Sequence, residues 1–381
     1  MTRLAALGTH ARSLSGYYRF LSEGKWRLEV LFRCLFTLVV KTFRLADVTL
    51  VLDDTLCPKW GRSIFGTGSF FDHVSRPRPG YVWGHNWVVL AIVVPVGSTG
   101  CVALPFWISL YRPEKSCAAG EFRTRHGIAA EALGRVREWF PGPITLLADG
   151  AYYNRSLVVP ATQMGIEVVS RIRSDARLRE PSPPRRARHT RGRPATRGDW
   201  IPKVSSVARG KARFVTRTVA IYGRKVTLLV REFVGYWPPL DRVVKVVITK
   251  DPRQRRRVAY LSTTNLALDA VTVVESFARR WSIEQLFAIS KNTLGLDSAE
   301  VRKERSVIRH AAFCMALATW TEVWAHRRNA SLRCATFSRK LAALREETVI
   351  ETVFASGPRT QASRRIAQSL AAAFCTATEA A

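Results

Sequence analysis

The sequence predicts an α/β protein built on a mixed sheet, and three observations predict it. Short β-branched runs end at acidic residues, two apolar runs flank a Gly-Ser-Thr-Gly turn, and later runs alternate with helix-patterned segments. Strands joined by short connections and then alternating with helices are typical of an α/β sheet that begins with an antiparallel hairpin. The chain has 381 residues, 47% of them apolar, which is enough to bury a sizeable core.

The first half of the chain supplies most of the predicted sheet. Residues 1–46 are basic and have a helical pattern, and Val48–Leu52 is predicted to be a strand that ends at Asp53 and Asp54. A Gly/Pro-rich stretch over 55–84 predicts loops. The elements predicted next are strands at 86–95 and 101–110, a helix at 121–140, a strand at 144–148, a helix at 152–164 and a strand at 166–170.

The composition changes after residue 171. Lys and Arg far outnumber Asp and Glu as far as residue 217, and prolines cluster there, which predicts a flexible basic segment. Four β-rich runs then predict a small antiparallel sheet, and two helices and a helical tail follow. These runs are strands at 213–222, 226–234, 242–249 and 258–263, with helices at 268–294 and 301–324.

The net charge of +31 points to a polyanionic partner, either nucleic acid or an anionic membrane surface. An Arg-rich genome is an alternative source for part of this excess. Residues 88–111 carry no charge and are long enough to span a bilayer, but their prolines and Gly-Ser-Thr-Gly turn favour a β-hairpin. We therefore expect no membrane association.

The seven cysteines and the N-terminus bear on the cellular compartment. No cysteines form a C-x-x-C pair and their number is odd, so reduced thiols in a cytosol are expected. The first residues lack an uninterrupted apolar stretch, so no signal peptide is expected.

Acidic residues follow two predicted strands. Asp53 and Asp54 end the first, and Asp149 ends the strand at 144–148. In open α/β sheets, chemistry gathers at the carboxyl ends of strands, although each Asp alone also fits a turn. Carboxylates brought together repel unless a cation such as Mg²⁺ or Mn²⁺ neutralises them, and two such ions support phosphodiester cleavage. The candidate third acid is Glu284.

Four residues around Glu284 share one helical face. Phe277, Arg280, Glu284 and Lys291 are separated by three, four and seven residues, which places them within an arc of roughly 60°. A surface ion pair between Arg280 and Glu284 is the simpler interpretation. The apolar residues around them predict a largely buried helix, however. A charged stripe on such a helix suggests a metal-binding acid flanked by phosphate-binding cations.

These residues resemble the Y-x2-R-x3-E-x6-K signature of DDE transposases of bacterial insertion sequences, the YREK group. The chain matches three of the four signature residues and has Phe277 in place of Tyr. The LDDT run at 52–55 and the LLADGAYYN run at 146–154 resemble the first and second Asp motifs of the family. The resemblance covers roughly residues 48–325.

The resemblance implies an RNase H-like fold, interrupted by a β-strand insertion before the last catalytic helix, with helical N- and C-terminal regions. It implies that Asp54, Asp149 and Glu284 are catalytic and hold two magnesium ions, with manganese as an alternative. Asp54 is chosen over Asp53 because the resemblance places the catalytic Asp directly before Thr55. Neighbouring strand residues point to opposite faces, so only one of the two can enter the site.

The resemblance also implies that Arg280 and Lys291 hold DNA phosphates, with Phe277 in a supporting role. Arg191 and Arg193, in an R-G-R-P run, resemble an AT-hook core that enters the minor groove. General phosphate binding by this Arg-rich stretch is the favoured alternative.

The expected protein is a DNA transposase that cleaves and joins strands at transposon ends. Its expected partners are double-stranded DNA, the inverted-repeat ends and target DNA, bound by a homodimer in the cytoplasm at the nucleoid. A non-transposing RNase H-like endonuclease and a catalytically inactive DNA-binding protein are the alternatives. The predicted segments are a basic helical region at 1–46, a first core part at 47–173, a basic linker and β-insertion at 174–266, a second core part at 267–325 and a helical tail at 326–381.

Overall fold

The computed structural model describes residues 14–72, 80–97, 100–181, 198–210 and 213–353. Its strands form one mixed sheet in the order β2-β3-β1-β5-β6-β10-β9-β8-β7, and β4 also pairs with β3. The strands are β1 (Val48–Pro58), β2 (Gly68–Asp72), β3 (Gly80–Val96), β4 (Gly100–Tyr111), β5 (Ile144–Ala148), β6 (Ile166–Arg171), β7 (Val215–Ile221), β8 (Arg224–Trp237), β9 (Arg242–Lys250) and β10 (Ala259–Thr263).

Helices cover both faces of this sheet. They are α1 (Leu14–Ser22), α2 (Leu28–Phe43), α3 (Arg125–Trp139), α4 (Arg155–Gln163), α5 (Val204–Arg209), α6 (Ala270–Arg279), α7 (Ser282–Asn292), α8 (Glu304–Arg328), α9 (Ala330–Arg333) and α10 (Phe337–Val353). Side chains cap several of them as their sequences suggest. The Asp269 carboxylate, for example, accepts hydrogen bonds from two backbone amides in the first turn of α6.

β1 carries Asp53 and Asp54 and lies inside the sheet. It runs parallel to β5, which runs parallel to β6, and antiparallel to β3. The even-numbered residues of β1 from Val48 to Leu52 lie in a buried cluster with α2, α3 and α4. Val51 and Cys57 lie in a second cluster with α6, α7 and α8. The parity of a residue in β1 therefore decides which helices it faces.

The predicted α/β class, with a mixed sheet and helical flanks, is confirmed. The predicted hairpin is also present, because β3 and β4 pair antiparallel across residues 86–111. Within the described ranges, no helix has the length and apolarity needed to cross a membrane. The described cysteines are all free thiols.

Three features differ from the sequence-based expectation. The stretch at 55–84 is not all loop: β1 continues to Pro58, and β2 and the start of β3 lie there despite their glycines. The segment after 171 contains the short helix α5. The four strands β7–β10 do not form a separate small sheet, because β10 pairs with β6 and extends the main sheet.

The β7–β8 turn explains why those strands pair so regularly. Tyr222 and Gly223 both have positive φ, 52° and 75°, and together they make the two-residue turn between the strands. Such a turn matches the twist of a hairpin, and a glycine takes the second position at little cost. The division of the chain into the segments predicted above stays a prediction, and the sheet is continuous across the 173/174 boundary.

Candidate active site

The two aspartates of β1 point to opposite faces of the sheet. Asp53 lies opposite Val89 of β3, which belongs to the cluster with α6–α8, and Asp54 lies opposite Val88, which belongs to the cluster with α2–α4. Directly opposed residues in an antiparallel pair share a face. Asp53 therefore faces the helix that carries Glu284, and Asp54 faces away from it.

Arg280 links Asp53 to Glu284. Its guanidinium donates to Asp53 Oδ2 at 2.7 Å and lies 3.5 Å from Glu284 Oε1. The side chains of Asp53 and Arg280 are largely buried, at 16% and 11% exposed, while that of Glu284 is 39% exposed. Two carboxylates therefore approach the same buried cation on one face of the sheet.

The pKa of Asp53 is perturbed by this environment. Burial raises it from 3.8 to about 7, and the nearby charges of Asp54 and Glu284 raise it as well. The Arg280 charge and a hydrogen bond from the Asp54 amide to Asp53 Oδ1 oppose that rise. A carboxyl group that titrates near neutral pH is characteristic of functional sites.

Asp54 is engaged on the other face. Its Oδ2 accepts a hydrogen bond from Arg125 at 2.9 Å, and its Oδ1 accepts one from the Tyr152 hydroxyl at 3.0 Å. Burial and the neighbouring Asp54 raise the pKa of the Tyr152 phenol well above its usual range, so it remains a donor. The two carboxylate oxygens of Asp54 thus link β1 to α3 and to the turn after β5. Both oxygens are occupied by hydrogen bonds that hold these elements together.

Asp149 continues β5 at its carboxyl end. Leu147 pairs with Val51 of β1, and both belong to the cluster with α6–α8. Asp149 lies two residues further along with extended backbone dihedrals (φ −74°, ψ 162°). By alternation it shares the face of Asp53, two residues after Val51. The register therefore places Asp149 at the level of Asp53 on the neighbouring strand.

Arg171 extends this row by one strand. Leu147 of β5 pairs with Val169 of β6, so Arg171 follows the register of Asp149 on the same face. Its guanidinium lies over the Phe277 ring, 5.5 Å from the centroid, and Arg280 lies 5.8 Å from the same ring. Phe277 therefore contacts two cations, and its supporting role at the site stays a prediction.

The helix predicted over 268–294 is interrupted at Arg280 and Trp281. Arg280 N–H donates to the Phe277 carbonyl, and Glu284 N–H donates to that of Trp281. These hydrogen bonds span three residues rather than four, so the backbone tightens between α6 and α7. The tightening brings Phe277 and Arg280 toward one line, because residues three apart eclipse in such a turn.

The other predicted DNA contacts have different environments. The Lys291 ammonium donates to the Leu56 carbonyl of β1 at 2.8 Å, so it fastens α7 to the strand that carries the aspartates. Two further donors remain on that ammonium for a phosphate. Arg191 and Arg193 lie outside the described residues.

The carboxylate oxygens at this site suit a hard divalent cation, but they are not arranged to surround one. Asp53, Asp149 and Glu284 offer carboxylate oxygens, the ligands that Mg²⁺ and Mn²⁺ prefer. Within the described part of the chain, no three His, Cys, Asp or Glu side chains lie close enough to hold an ion. The Arg280 guanidinium lies between Asp53 and Glu284, so metal binding at both requires it to move aside.

Sequence reasoning proposed Asp149, Arg280 and Glu284 as site residues and preferred Asp54 to Asp53, and it did not propose Arg171. Alternation shows that Asp53 shares a face with Val51, but both faces of β1 are buried, so alternation alone does not choose between Asp53 and Asp54. Deciding between the faces required the position of α7, which the sequence does not give. Arg171 was hidden within a long basic stretch.

The sequence profile of the DDE superfamily endonuclease family matches residues 1–226. No curated protein matches the chain. The profile covers more than half of the chain and includes Asp53, Asp54 and Asp149. The chain therefore belongs to the DDE superfamily endonucleases, and its mixed sheet with flanking helices is the RNase H-like fold of that superfamily. The match ends before Glu284, so membership of the YREK group stays a prediction.

Proposed function

We propose that this DDE superfamily endonuclease is the DNA transposase of an insertion sequence, which cleaves and joins strands at transposon ends. The observation that carries the proposal is the shared sheet face of Asp53 and Glu284, joined through Arg280, with Asp149 in register beside Asp53. The spacing of Phe277, Arg280, Glu284 and Lys291 supports transposition over other endonuclease functions.

In this proposal Asp53, Asp149 and Glu284 are the catalytic carboxylates and the ligands of one or two Mg²⁺ or Mn²⁺ ions. Such ions, when bound, activate a water and stabilise the leaving oxygen in phosphodiester cleavage. Asp53 replaces Asp54, the residue favoured by the sequence, because the Asp54 oxygens bind Arg125 and Tyr152 on the opposite face.

The cations around these carboxylates are proposed to bind the DNA backbone. Arg280 would have to leave Asp53 and Glu284 for a metal ion to bind there and would then be free to hold a phosphate, and Arg171 on β6 would hold the adjoining one. Lys291 keeps β1 and α7 together and contributes a donor at the edge of the site. The proposed substrate is double-stranded DNA with transposon ends and a target, bound by a homodimer at the nucleoid.

Two assays separate this proposal from its alternatives. Nicking of supercoiled plasmid in the presence of Mg²⁺ distinguishes an enzyme from an inactive DNA-binding protein. Joining of labelled element ends to a target plasmid distinguishes a transposase from a plain endonuclease. The ends to test are the inverted repeats that flank the gene. Nicking without any joining of paired ends would reduce the assignment to endonuclease.

We expect the nicking rate to rise with pH through about 7, because the pKa of Asp53 is about 7 and only its ionised form binds a cation. Metal competes with the proton for the carboxylate, so higher Mg²⁺ concentration should move the midpoint to lower pH. Initial nicking rates measured from pH 5.5 to 9, at about 1 mM and about 10 mM Mg²⁺, test both the midpoint and its shift.

Two variants sharpen the pH experiment. Arg280→Ala removes the cation that lowers the pKa of Asp53, so its midpoint should move to higher pH. Asp54→Asn should move the midpoint in the opposite direction, to lower pH, because the Asp54 charge raises the pKa of Asp53. If neither the Mg²⁺ concentration nor the Arg280→Ala substitution shifts the midpoint, the titrating group is not Asp53.

Binding to nonspecific duplex DNA should depend strongly on salt, because a net charge of +31 implies several phosphate contacts. Deleting residues 185–197, which include Arg191 and Arg193, should lower affinity and flatten the slope of log K against log salt by about one for each phosphate that is no longer bound. Fluorescence anisotropy with a labelled duplex measures both quantities. An unchanged slope would show that this segment does not touch DNA.

A further inference from the structure

An exposed aromatic surface lies beyond the carboxyl end of β1. Trp60 is 97% exposed, Tyr81 is 69% exposed and Trp83 is 39% exposed. Tyr81 and Trp83 alternate with the buried Val82 on β3, so they share one face. Phe71 of β2 lies directly opposite Tyr81, and the two rings meet edge to face at 5.3 Å. We call Trp60, Phe71, Tyr81 and Trp83 the aromatic surface.

The segment that carries Trp60 is firmly held. The Lys59 ammonium donates to the carbonyls of Asp297 and Ala299, at 2.5 and 3.2 Å. The Lys59 amide donates to the Trp83 carbonyl, and the Trp83 indole donates to that of Gly61 at 3.3 Å. The backbone on both sides of Trp60 is therefore anchored, yet its indole points into solvent. Folding makes no use of this side chain, and a rigid exposed indole is suited to an incoming partner.

The aromatic surface lies on the same sheet face as the proposed catalytic carboxylates. Asp53 is opposite Val89 on β3, and Trp83 is six residues before Val89 with the same parity. At about 3.3 Å per residue, Trp83 lies roughly 20 Å from the level of Asp53 along the strand. The strands between these two levels are covered by α7 and α8, because Cys57 and Trp87 are buried in the same cluster as those helices. A polymer that reaches both Asp53 and Trp60 therefore has to pass over the helices.

Exposed cations accompany the aromatic side chains. Trp60, Arg62 and Arg302 line one groove of about 610 Å³ next to Lys59, and both arginines are exposed. Asp297 and Glu300 line the same groove, so its cations outnumber its carboxylates only when Lys59 is included. Aromatic rings combined with cations form the usual binding surface for unpaired nucleic acid, because every base presents a ring face. Bases inside a duplex are already stacked on one another.

We propose that the aromatic surface binds single-stranded DNA roughly 20 Å from the proposed cleavage site, with Trp60 and Tyr81 stacking on unpaired bases. This inference rests on the proposed action on DNA and adds a substrate preference to it. A blunt duplex offers such bases only at frayed ends, whereas a nicked or partly opened substrate supplies them continuously. The protein should therefore prefer DNA that carries an unpaired strand beside the duplex it cleaves.

The test compares the affinities of the full chain for a labelled blunt duplex and for the same duplex with a short single-stranded extension, in Ca²⁺ so that no cleavage occurs. We expect the extension to increase wild-type affinity, and Trp60→Ala or Tyr81→Ala to remove about tenfold of that increase. Trp60→Phe keeps a ring and should retain most of it. Trp320→Ala, which removes a half-exposed indole on α8, is the matched control and should change nothing.

Several results would overturn the inference. One is a wild-type affinity that the single-stranded extension does not increase. Another is an increase in affinity that persists in both Trp60→Ala and Tyr81→Ala. A third is a concentration-dependent dimer in sedimentation that Trp60→Ala dissociates while the increase persists, which would assign the surface to self-association. Plasmid nicking by the wild type is scored separately, so a failure of this inference alone leaves nicking intact, and a failure of the proposed function removes nicking.

Discussion

Asp53→Asn is expected to reduce plasmid nicking more than about a hundredfold, while Asp54→Asn keeps most of the parental rate. Losing a group that only orients a metal ligand already costs about 10–100-fold, so losing a coordinating carboxylate should cost more. Asp53 shares its face with Asp149 and Glu284, whereas Asp54 lies on the other side of β1. Nicking rates of both variants, measured at saturating Mg²⁺, provide the comparison.

The folding of both variants must be checked because both aspartates make hydrogen bonds. Asp54→Asn weakens the pair with the half-exposed Arg125 but keeps an acceptor for Tyr152, so we expect a decrease of about 1 kcal/mol in the free energy of unfolding. Asp53→Asn removes a carboxylate that burial disfavours, but it also deprives Arg280 of its closest partner. Thermal melting then separates a folding defect from a catalytic one.

The reverse outcome would also be informative. If Asp54→Asn abolished nicking and Asp53→Asn remained active, the sequence-based assignment of Asp54 would hold. Asp54 would then need to leave Arg125 and Tyr152 and turn toward α7 when DNA binds. Such a result would mean that the register of β1 changes in the active complex.

The sequence predicted the secondary structure best in segments where one pattern of apolar residues, either strand-like or helical, is clear. The strands at 144–148 and 166–170 and the helix at 121–140 were predicted within a few residues, because apolar runs of strand length stop at clear turn residues. The β2 strand was missed because its glycines and the prolines around it suggest loops. The join between β6 and β10 was missed because it is a long-range contact that no local pattern encodes.

The candidate site shows the same division. The spacing of Arg280 and Glu284 is local, so the sequence placed both on one face even though the helix is interrupted between them. The choice between Asp53 and Asp54 depends on which face of β1 meets α7, about 230 residues later in the chain. Residue order alone does not fix that face, whereas the tertiary packing of Ile283 and Leu286 against the sheet does.

Glu284→Gln tests the third carboxylate and the charge of the site together. Glutamine keeps the shape of the side chain and one oxygen acceptor but removes a negative charge from the proposed metal ligands. We expect nicking to fall more than about a hundredfold, since metal affinity drops with the charge and number of its ligands. DNA affinity should persist or rise slightly, because a carboxylate that repels phosphate is gone and Arg280 is then shared only with Asp53.

The experiment pairs a nicking assay in Mg²⁺ with anisotropy on the same duplex in Ca²⁺. Glu131→Gln is the matched control, because Glu131 lies on α3 and forms an exposed ion pair with Arg123. The substitution removes the same charge and should leave the nicking rate and the DNA affinity unchanged. A decrease in DNA affinity that parallels the decrease in nicking would indicate misfolding rather than chemistry. Nicking by Glu284→Gln at the parental rate would leave Glu284 as a structural partner of Arg280, and the transposase proposal would then lose its most specific support, the spacing of Arg280, Glu284 and Lys291.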